Sequence, residues 1–387
     1  MRIAIDIRWL RKEMDGIGRY VSNLVTHLVE LDTRNTYFLI THPNSFPSSY
    51  SFPTSPRLYI SASPYPFLSP RDFFCLPGFL NRLEIDLFHA PNYLTSPLSG
   101  RYAQIVTVHD LIPYLYPETL WKASLRWKFY YRSKYPAYLV LHKADQIIAD
   151  SLHTKKDIVK LFGIPPEKIR VIWPGIETRF YTAEKPSKAF LQKYNLREDF
   201  LLYLGRQDPY KGLEFLIRAY YQLDPGLRNQ YPLIIAGKKD SRYLKSVEHL
   251  IEDLALKEQV QFLGYVPDPD LPSLYKAATL FVYPSLYEGF GFPPLEAMAC
   301  GTPVIYGRGS SLEEVIGDKG GSFTPHHLPE LTQAIQMLLQ NRQLREEMSQ
   351  RGREQVLSLT WRKTAEAVLE VYQAVGHRKT GQGGIQR

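Results

Sequence analysis

The sequence predicts an α/β protein built from two Rossmann-like, doubly wound domains that face each other across a cleft. Three observations predict it. Short β-prone runs alternate with helical patterns in the first half of the chain, and a second such series follows. Between the two, "PGIETRFYTAEKPS" (174–187) loses periodicity and marks a boundary. The chain has 387 residues, enough for two sizeable cores. We assign residues 1–180 to the first domain and 181–359 to the second. A C-terminal helix over 360–376 completes the first domain, and 377–387 form a disordered tail.

The first domain opens on "RIAIDI". Asp6 and Arg8 interrupt the apolar run, so it reads as a buried strand and not as a signal peptide. "GIGRYVSNLVTHLVEL" follows, with Val21, Leu24, Val25 and Leu28 at helical spacing. Residues 43–70 are rich in proline, serine and aromatics and are expected to be an irregular loop. Four further strands are expected in "IDLFHA", "QIVTVHD", "DQIIADS" and "IRVIWPG". In the second domain the strands are "DFLLYLG", "YPLIIAG", "VQFLG", "ATLFVYPS" and "TPVIYG". "LPELTQAIQMLLQNRQLREEMSQRGREQVL" is expected to be helical. Open sheets of this kind bind ligands beyond the carboxyl ends of their strands.

Composition narrows the class. Hydrophobic residues make up 44% and charged residues 22%, as in a soluble globular protein. Two cysteines, Cys75 and Cys300, suit a reducing, cytoplasmic compartment. A net charge of +8 suits a phosphate-bearing ligand, an anionic membrane or nucleic acid. No zinc-type Cys/His spacing and no RNA-binding aromatic signature appears, which ranks nucleic acid low.

The stretch "PSLYEGFGFPPLEAMACGTPV" (284–304) carries the densest chemistry. Glu288 falls on a strand-to-helix loop and Glu296 in the first turns of the helix. Gly289 and Gly291 permit close backbone approach, and Pro293 and Pro294 fit a first turn. Free N–H groups at that helix start can hold a phosphate. A carboxylate beside a phosphate is repelled unless it binds hydroxyls, so the two glutamates suggest a sugar on each side. Helix-dipole stabilisation is the equally simple reading of Glu296. In "YLGRQDPYKGLEFLIRAY", Arg206 and Lys211 flank the loop after another strand. They are either a phosphate clamp or solvated surface cations. His109 and Asp110 end the strand in "TVHDLIP", and His89 ends that in "FHAPNY"; a structural histidine is the alternative. In "DGIGRY", Gly16 and Gly18 bring helix N–H groups to the cleft or simply make a tight turn.

"EGFGFPPLEAMACGTPVI" resembles the signature of retaining glycosyltransferases of family 4, which have the GT-B fold. "GRQDPYKG" resembles the Gly-Arg…Lys-Gly segment of the same family, and "TVHDLIP", "ADSLHTKKDI" and "SSLEEVIGD" are also similar. The resemblance extends over most of residues 1–375 and is weakest over 43–80. It implies that Arg206 and Lys211 bind the donor diphosphate. It places Glu288, with Gly289, Phe290 and Gly291, at the donor sugar and its phosphate, and Glu296 at the ribose. His109 would lie near the donor sugar and acceptor, and the loop of Gly16 and Gly18 would contact the acceptor or the donor phosphate. His89 and Asp110, at strand ends, are expected to line the acceptor site. One departure stands out: Lys238 and Lys239 follow Gly237, where many relatives have a second glycine.

"DIRWL…GIGRY" and "FHAPNY" look most like bacterial mannosyltransferases of O-antigen and other surface polysaccharides. The resemblance thus implies transfer of a hexose to a saccharide or lipid-linked saccharide, with mannose from GDP-mannose the leading donor and other hexose donors open. No metal or other cofactor is expected. A sugar-nucleotide epimerase of the same architecture and a non-catalytic nucleotide-sugar binder are the competing readings. Residues 120–143 mix bases with aromatics. They form either an ordinary surface helix or one that touches an anionic membrane, with the enzyme peripheral to its inner face.

Overall fold

The computed structural model describes residues 1–10, 14–42, 50, 52–120, 131 and 133–382. The chain divides into two compact units. The first comprises residues 1–114, 125–175 and 359–387, the second 115–124 and 176–358, each within the described residues.

The first unit holds a parallel sheet of seven strands: β1 (Arg2–Asp6), β2 (Thr36–Thr41), β3 (Leu58–Ala62), β4 (Leu87–Ala90), β5 (Ala103–Val108), β6 (Gln146–Ala149) and β7 (Ile169–Val171). Their spatial order is β3-β2-β1-β4-β5-β6-β7. Its longer helices are α1 (Gly16–Leu31), α2 (Pro70–Arg82), α3 (Tyr135–Lys143) and α4 (Leu152–Phe162). Helix α1 follows β1 and buries Val21, Leu24, Val25 and Leu28, the stripe expected from its spacing. Its first turn is closed by Asp15, whose Oδ1 accepts from the Gly18 amide at 2.8 Å.

The second unit holds six parallel strands: β8 (Leu201–Leu204), β9 (Leu233–Ala236), β10 (Val260–Gly264), β11 (Leu280–Tyr283), β12 (Val304–Gly307) and β13 (Gly321–Phe323). Their order is β10-β9-β8-β11-β12-β13. Its longer helices are α5 (Leu213–Tyr221), α6 (Leu244–Asp253), α7 (Leu271–Ala277), α8 (Phe292–Ala299), α9 (Leu328–Gln340) and α10 (Arg342–Val356). Both sheets reverse their direction of growth beside their first strand, between β1 and β4 and between β8 and β11. That is the doubly wound pattern. Leu201, Tyr203, Leu233, Ile235 and Val282 of the sheet share one buried core with Leu216, Ile217 and Tyr220 of α5 and with Leu331, Ile335 and Leu338 of α9.

The last helix, α11 (Trp361–Gln382), returns to the first unit and packs on α1. Its Thr364 Oγ1 donates to the Trp173 carbonyl at 2.9 Å. Gly175 is required where the chain passes this helix, because a Cβ there would lie 2.1 Å from the Trp361 nitrogen.

The structure adds β2, β3 and β13 to the expected strands. β3 is a sheet edge inside the segment expected to be irregular. Tyr59 and Ile60 on it are half exposed or more, so no buried alternation marks it. The long C-terminal helical stretch is two helices, α9 and α10, because Asn341 ends one and caps the other. Helix α11 runs into the segment expected to be disordered, since extending a formed helix costs far less than starting one. Of the 120–143 segment, residues 121–130 and 132 lie outside the described residues. Its described end forms α3. Among the described residues no helix is long and apolar enough to cross a membrane.

Candidate active site

The site is built at the switch point of the second sheet, where the loops after β8 and β11 run side by side. Gly212 makes that approach possible. Its φ is +70°, and a Cβ there would lie 2.3 Å from the Pro284 carbonyl oxygen. The Leu286 amide then donates to the Tyr210 carbonyl at 2.7 Å and locks the loops together. Gly237, at φ +127°, brings the end of β9 equally close to Gly205.

On this frame Lys211 and Glu288 meet. Lys211 Nζ lies 2.6 Å from Glu288 Oε1 and donates to Tyr283 Oη at 3.0 Å. Both side chains are only 10% exposed. Burial works against the ammonium, but Glu288 and the neighbouring tyrosines outweigh it and hold the Lys211 pKa well above the ordinary lysine value. The pair is therefore ionic, and its geometry is that of a strong charge-assisted hydrogen bond. Arg206 stands differently. Its side chain is 62% exposed, with Nε 3.1 Å from Asp208 Oδ2 and Nη2 donating to Tyr210 Oη at 2.9 Å. Arg206, Lys211 and Glu288 are thus linked through Tyr210 and the paired loops.

Helix α8 rises from the Glu288 loop. Gly291, at φ +90°, precedes it, and Pro293 and Pro294 occupy its first turn. Gly301, at φ +78°, follows it. Ser311 Oγ donates to the Glu288 carbonyl at 2.8 Å and fixes the loop from below. Glu296 is buried on α8 and accepts from Tyr275 Oη of α7 at 3.0 Å. Phe290 is buried edge-on against Phe292, with ring centroids 5.4 Å apart.

In the first unit the expected residues are engaged otherwise. His89 corrects the reading that it lines an acceptor site. It is fully buried, with Nδ1 2.6 Å from Tyr372 Oη and Nε2 2.8 Å from Thr107 Oγ1. Both ring nitrogens are taken within the core, and burial lowers its pKa to about 3. His109 lies between Asp150 Oδ2, 2.6 Å from Nδ1, and the Pro91 carbonyl, 2.8 Å from Nε2. Burial opposes its protonation, but Asp150 prevails and raises its pKa above the ordinary histidine value. Asp110 accepts from the Ile112 amide at 3.0 Å. Gly16 opens α1 at the surface. Gly18 packs closely, and a Cβ there would crowd the end of the Tyr50 side chain at 2.5 Å from its Oη.

Several groups at these sites carry no sequence signal. Asp208 is buried between two guanidinium groups, with Arg242 Nη2 3.5 Å from its Oδ1. Asp240 pairs with Arg242 in turn. Arg242, after β9, joins this network, and Lys239 Nζ lies 5.4 Å from the Phe262 ring centroid. Arg8 is buried between Asp6 and Asp72. Among the described residues no group of three or more His, Cys, Asp or Glu is placed to hold a metal ion.

Comparisons with known proteins fit this arrangement. A family model described as glycosyl transferases group 1 matches residues 186–355, and one described as glycosyltransferase family 4 matches residues 14–180. O-antigen chain mannosyltransferase B of Escherichia coli is 33% identical over 291 residues, 74% of this chain and 74% of that protein. The serotype-specific mannosyltransferase WbdA of Escherichia coli is 31% identical over 289 residues, 73% of this chain but 35% of its own length. Among solved structures, sucrose-phosphate synthase from Thermosynechococcus elongatus superposes with a TM-score of 0.75 at 24% identity, covering 97% of this chain and 99% of that one. That likeness speaks to the fold.

Proposed function

This chain belongs to the family 4 glycosyltransferases with the GT-B fold, and from that premise we propose that it moves mannose from GDP-mannose, with retention, to a saccharide or lipid-linked saccharide of a surface polysaccharide. One observation carries the reading: a buried lysine–glutamate pair beside an exposed arginine at the switch point of the second sheet. The mannosyl donor and polysaccharide acceptor are supported by what the two Escherichia coli relatives are called.

In this proposal the donor diphosphate takes up Arg206 from solvent and draws Lys211 away from Glu288. The two fixed cations stabilise the charge that builds on the leaving diphosphate, a role a divalent ion fills elsewhere. Glu288, released from the ammonium, accepts hydrogen bonds from donor-sugar hydroxyls. Glu296 accepts from the ribose hydroxyls beside Tyr275. The acceptor hydroxyl attacks the anomeric carbon from the face the diphosphate leaves. The bond from that carbon to the phosphate oxygen breaks as the new glycosidic bond forms, and the hydroxyl proton passes to a phosphate oxygen. No protein base is needed, which agrees with a His109 whose two nitrogens face Asp150 and a carbonyl. The reaction takes place in the cytoplasm or at the inner face of the membrane.

A screen of GDP-, UDP- and ADP-sugars for protection against thermal unfolding tests the donor. GDP-mannose is expected to raise the melting temperature most. Greater protection by another nucleotide sugar refutes the assignment. The anomeric configuration of the product, read by NMR, tests retention.

A further inference from the structure

A second feature of this unit lies beside the charge pair. A pocket of about 540 Å³ opens at the carboxyl ends of β11, β12 and β13. Its lining combines Tyr116 and Leu286 with Arg308, Glu313, Thr324 and His326. Tyr116 comes from the first half of the chain, in a short segment that belongs to the second unit. Its ring packs at 6.0 Å from Tyr210 and 5.8 Å from Tyr287. Those two tyrosines immediately precede Lys211 and Glu288 in sequence. The wall of the pocket is thus continuous with both loops of the charge pair.

The polar groups are held in place. Arg308 donates to Ser322 Oγ at 3.2 Å and to Thr324 Oγ1 at 2.6 Å, and it pairs with Glu330 at 2.6 Å. Glu313 accepts from the Gly309 amide at 3.0 Å. His326 has φ +66°, a left-handed conformation that costs a non-glycine residue about 1 kcal/mol or more. Such a cost is tolerated where surrounding structure fixes the turn.

The chemistry of this lining selects a ligand class. A pyranose has an apolar C–H face and a rim of hydroxyls, each both donor and acceptor. The pocket offers an aromatic ring and a leucine beside a guanidinium, a carboxylate, a hydroxyl and an imidazole. An aromatic ring carries a negative face that attracts polarised C–H groups. A phosphate fits poorly, because Glu313 stands on the wall and the Arg308 charge is matched by Glu330. The volume falls in the usual range for small-molecule sites and accommodates about one or two sugar rings.

We infer that this pocket is a saccharide subsite distinct from the diphosphate clamp, with Tyr116 as the platform for a pyranose ring. Its assignment to the acceptor rests on the transfer reaction proposed above. The subsite gives the second unit a hold on the acceptor close to the reacting end of the donor.

The test is saturation-transfer NMR on the full chain with a panel of α-linked mannose, glucose and galactose disaccharides, without nucleotide. At least one disaccharide is expected to receive saturation from the wild type. Tyr116→Ala and Glu313→Ala are each expected to weaken that binding about tenfold, the effect of losing one such contact. Glu313 is exposed, so its variant keeps the fold if the packing of Tyr116 proves structural. Protection by GDP against thermal unfolding is expected to survive in Glu313→Ala. No saturation of any disaccharide, or equal saturation in the wild type and both variants, overturns the subsite. Saturation lost in both variants, in a chain that no nucleoside diphosphate protects, upholds the subsite and removes the donor reading instead.

Discussion

Beside β1 and β4 in the first sheet, and beside β8 and β11 in the second, strand order reverses in the same way. The side chains gathered at the two places are satisfied differently. In the first unit His89 is sealed between Tyr372 and Thr107, and Arg8 between Asp6 and Asp72. In the second, Lys211 and Glu288 satisfy each other at the edge of solvent, and Arg206 is largely exposed. A group locked into a core stabilises a fold. A group whose partner can be exchanged for a ligand's oxygen is poised to bind one. Shared topology therefore locates both places without saying which is reactive.

The sharpest way to break this comparison is to remove the exchangeable cation. Lys211→Ala is expected to lower kcat/KM for transfer by about 10²–10³-fold, the usual loss when one stabiliser of developing charge is removed. It also leaves Glu288 buried beside no ammonium, which destabilises the unit. The double variant Lys211→Met/Glu288→Gln removes that unpaired charge, so it is expected to regain stability but not transfer. Recovery of transfer in the double variant would place the chemistry elsewhere.

A smaller effect is expected from the locked group. His89 is neutral in the folded protein down to about pH 3, whereas in the unfolded chain it takes up a proton below about pH 6.5. The unfolded state then binds the extra proton, so stability falls as pH falls through that window. Between pH 7.5 and pH 5 this contributes a loss of about 2 kcal/mol. His109, with its raised pKa, acts in the opposite sense: its contribution is present at low pH and fades as pH rises through the folded value. Urea unfolding of the wild type and His89→Gln at the two pH values isolates the His89 part. The variant is expected to lose less stability on acidification, and an identical loss in both would show that His89 does not set it.

The smallest expected change concerns a packing glycine. Gly18→Ala is expected to cost about 1 kcal/mol in urea unfolding, because the new Cβ meets the movable end of Tyr50.

Much of this is legible in the sequence. The alternation of apolar runs with helical stripes identifies ten of the strands named above, and the spacing around Glu288 places a loop, two prolines and a helix where they occur. What escapes depends on partners far along the chain. Lys211 meets Glu288 across 77 positions, and nothing in "GRQDPYKG" tells that Asp208 is buried and faces Arg242. His89 illustrates the reverse error. A histidine at a strand end reads as a ligand group until Tyr372, 283 residues later, is seen to close its pocket. Edge strand β3 escapes because neither burial nor alternation marks it.

The claim that the Lys211–Glu288 pair opens to hold a diphosphate is tested most directly by a crystal structure with GDP bound. The account predicts Lys211 Nζ within hydrogen-bond reach of a phosphate oxygen, with Arg206 turned onto the same diphosphate. A bound diphosphate that leaves the Lys211–Glu288 contact closed and touches neither cation contradicts it.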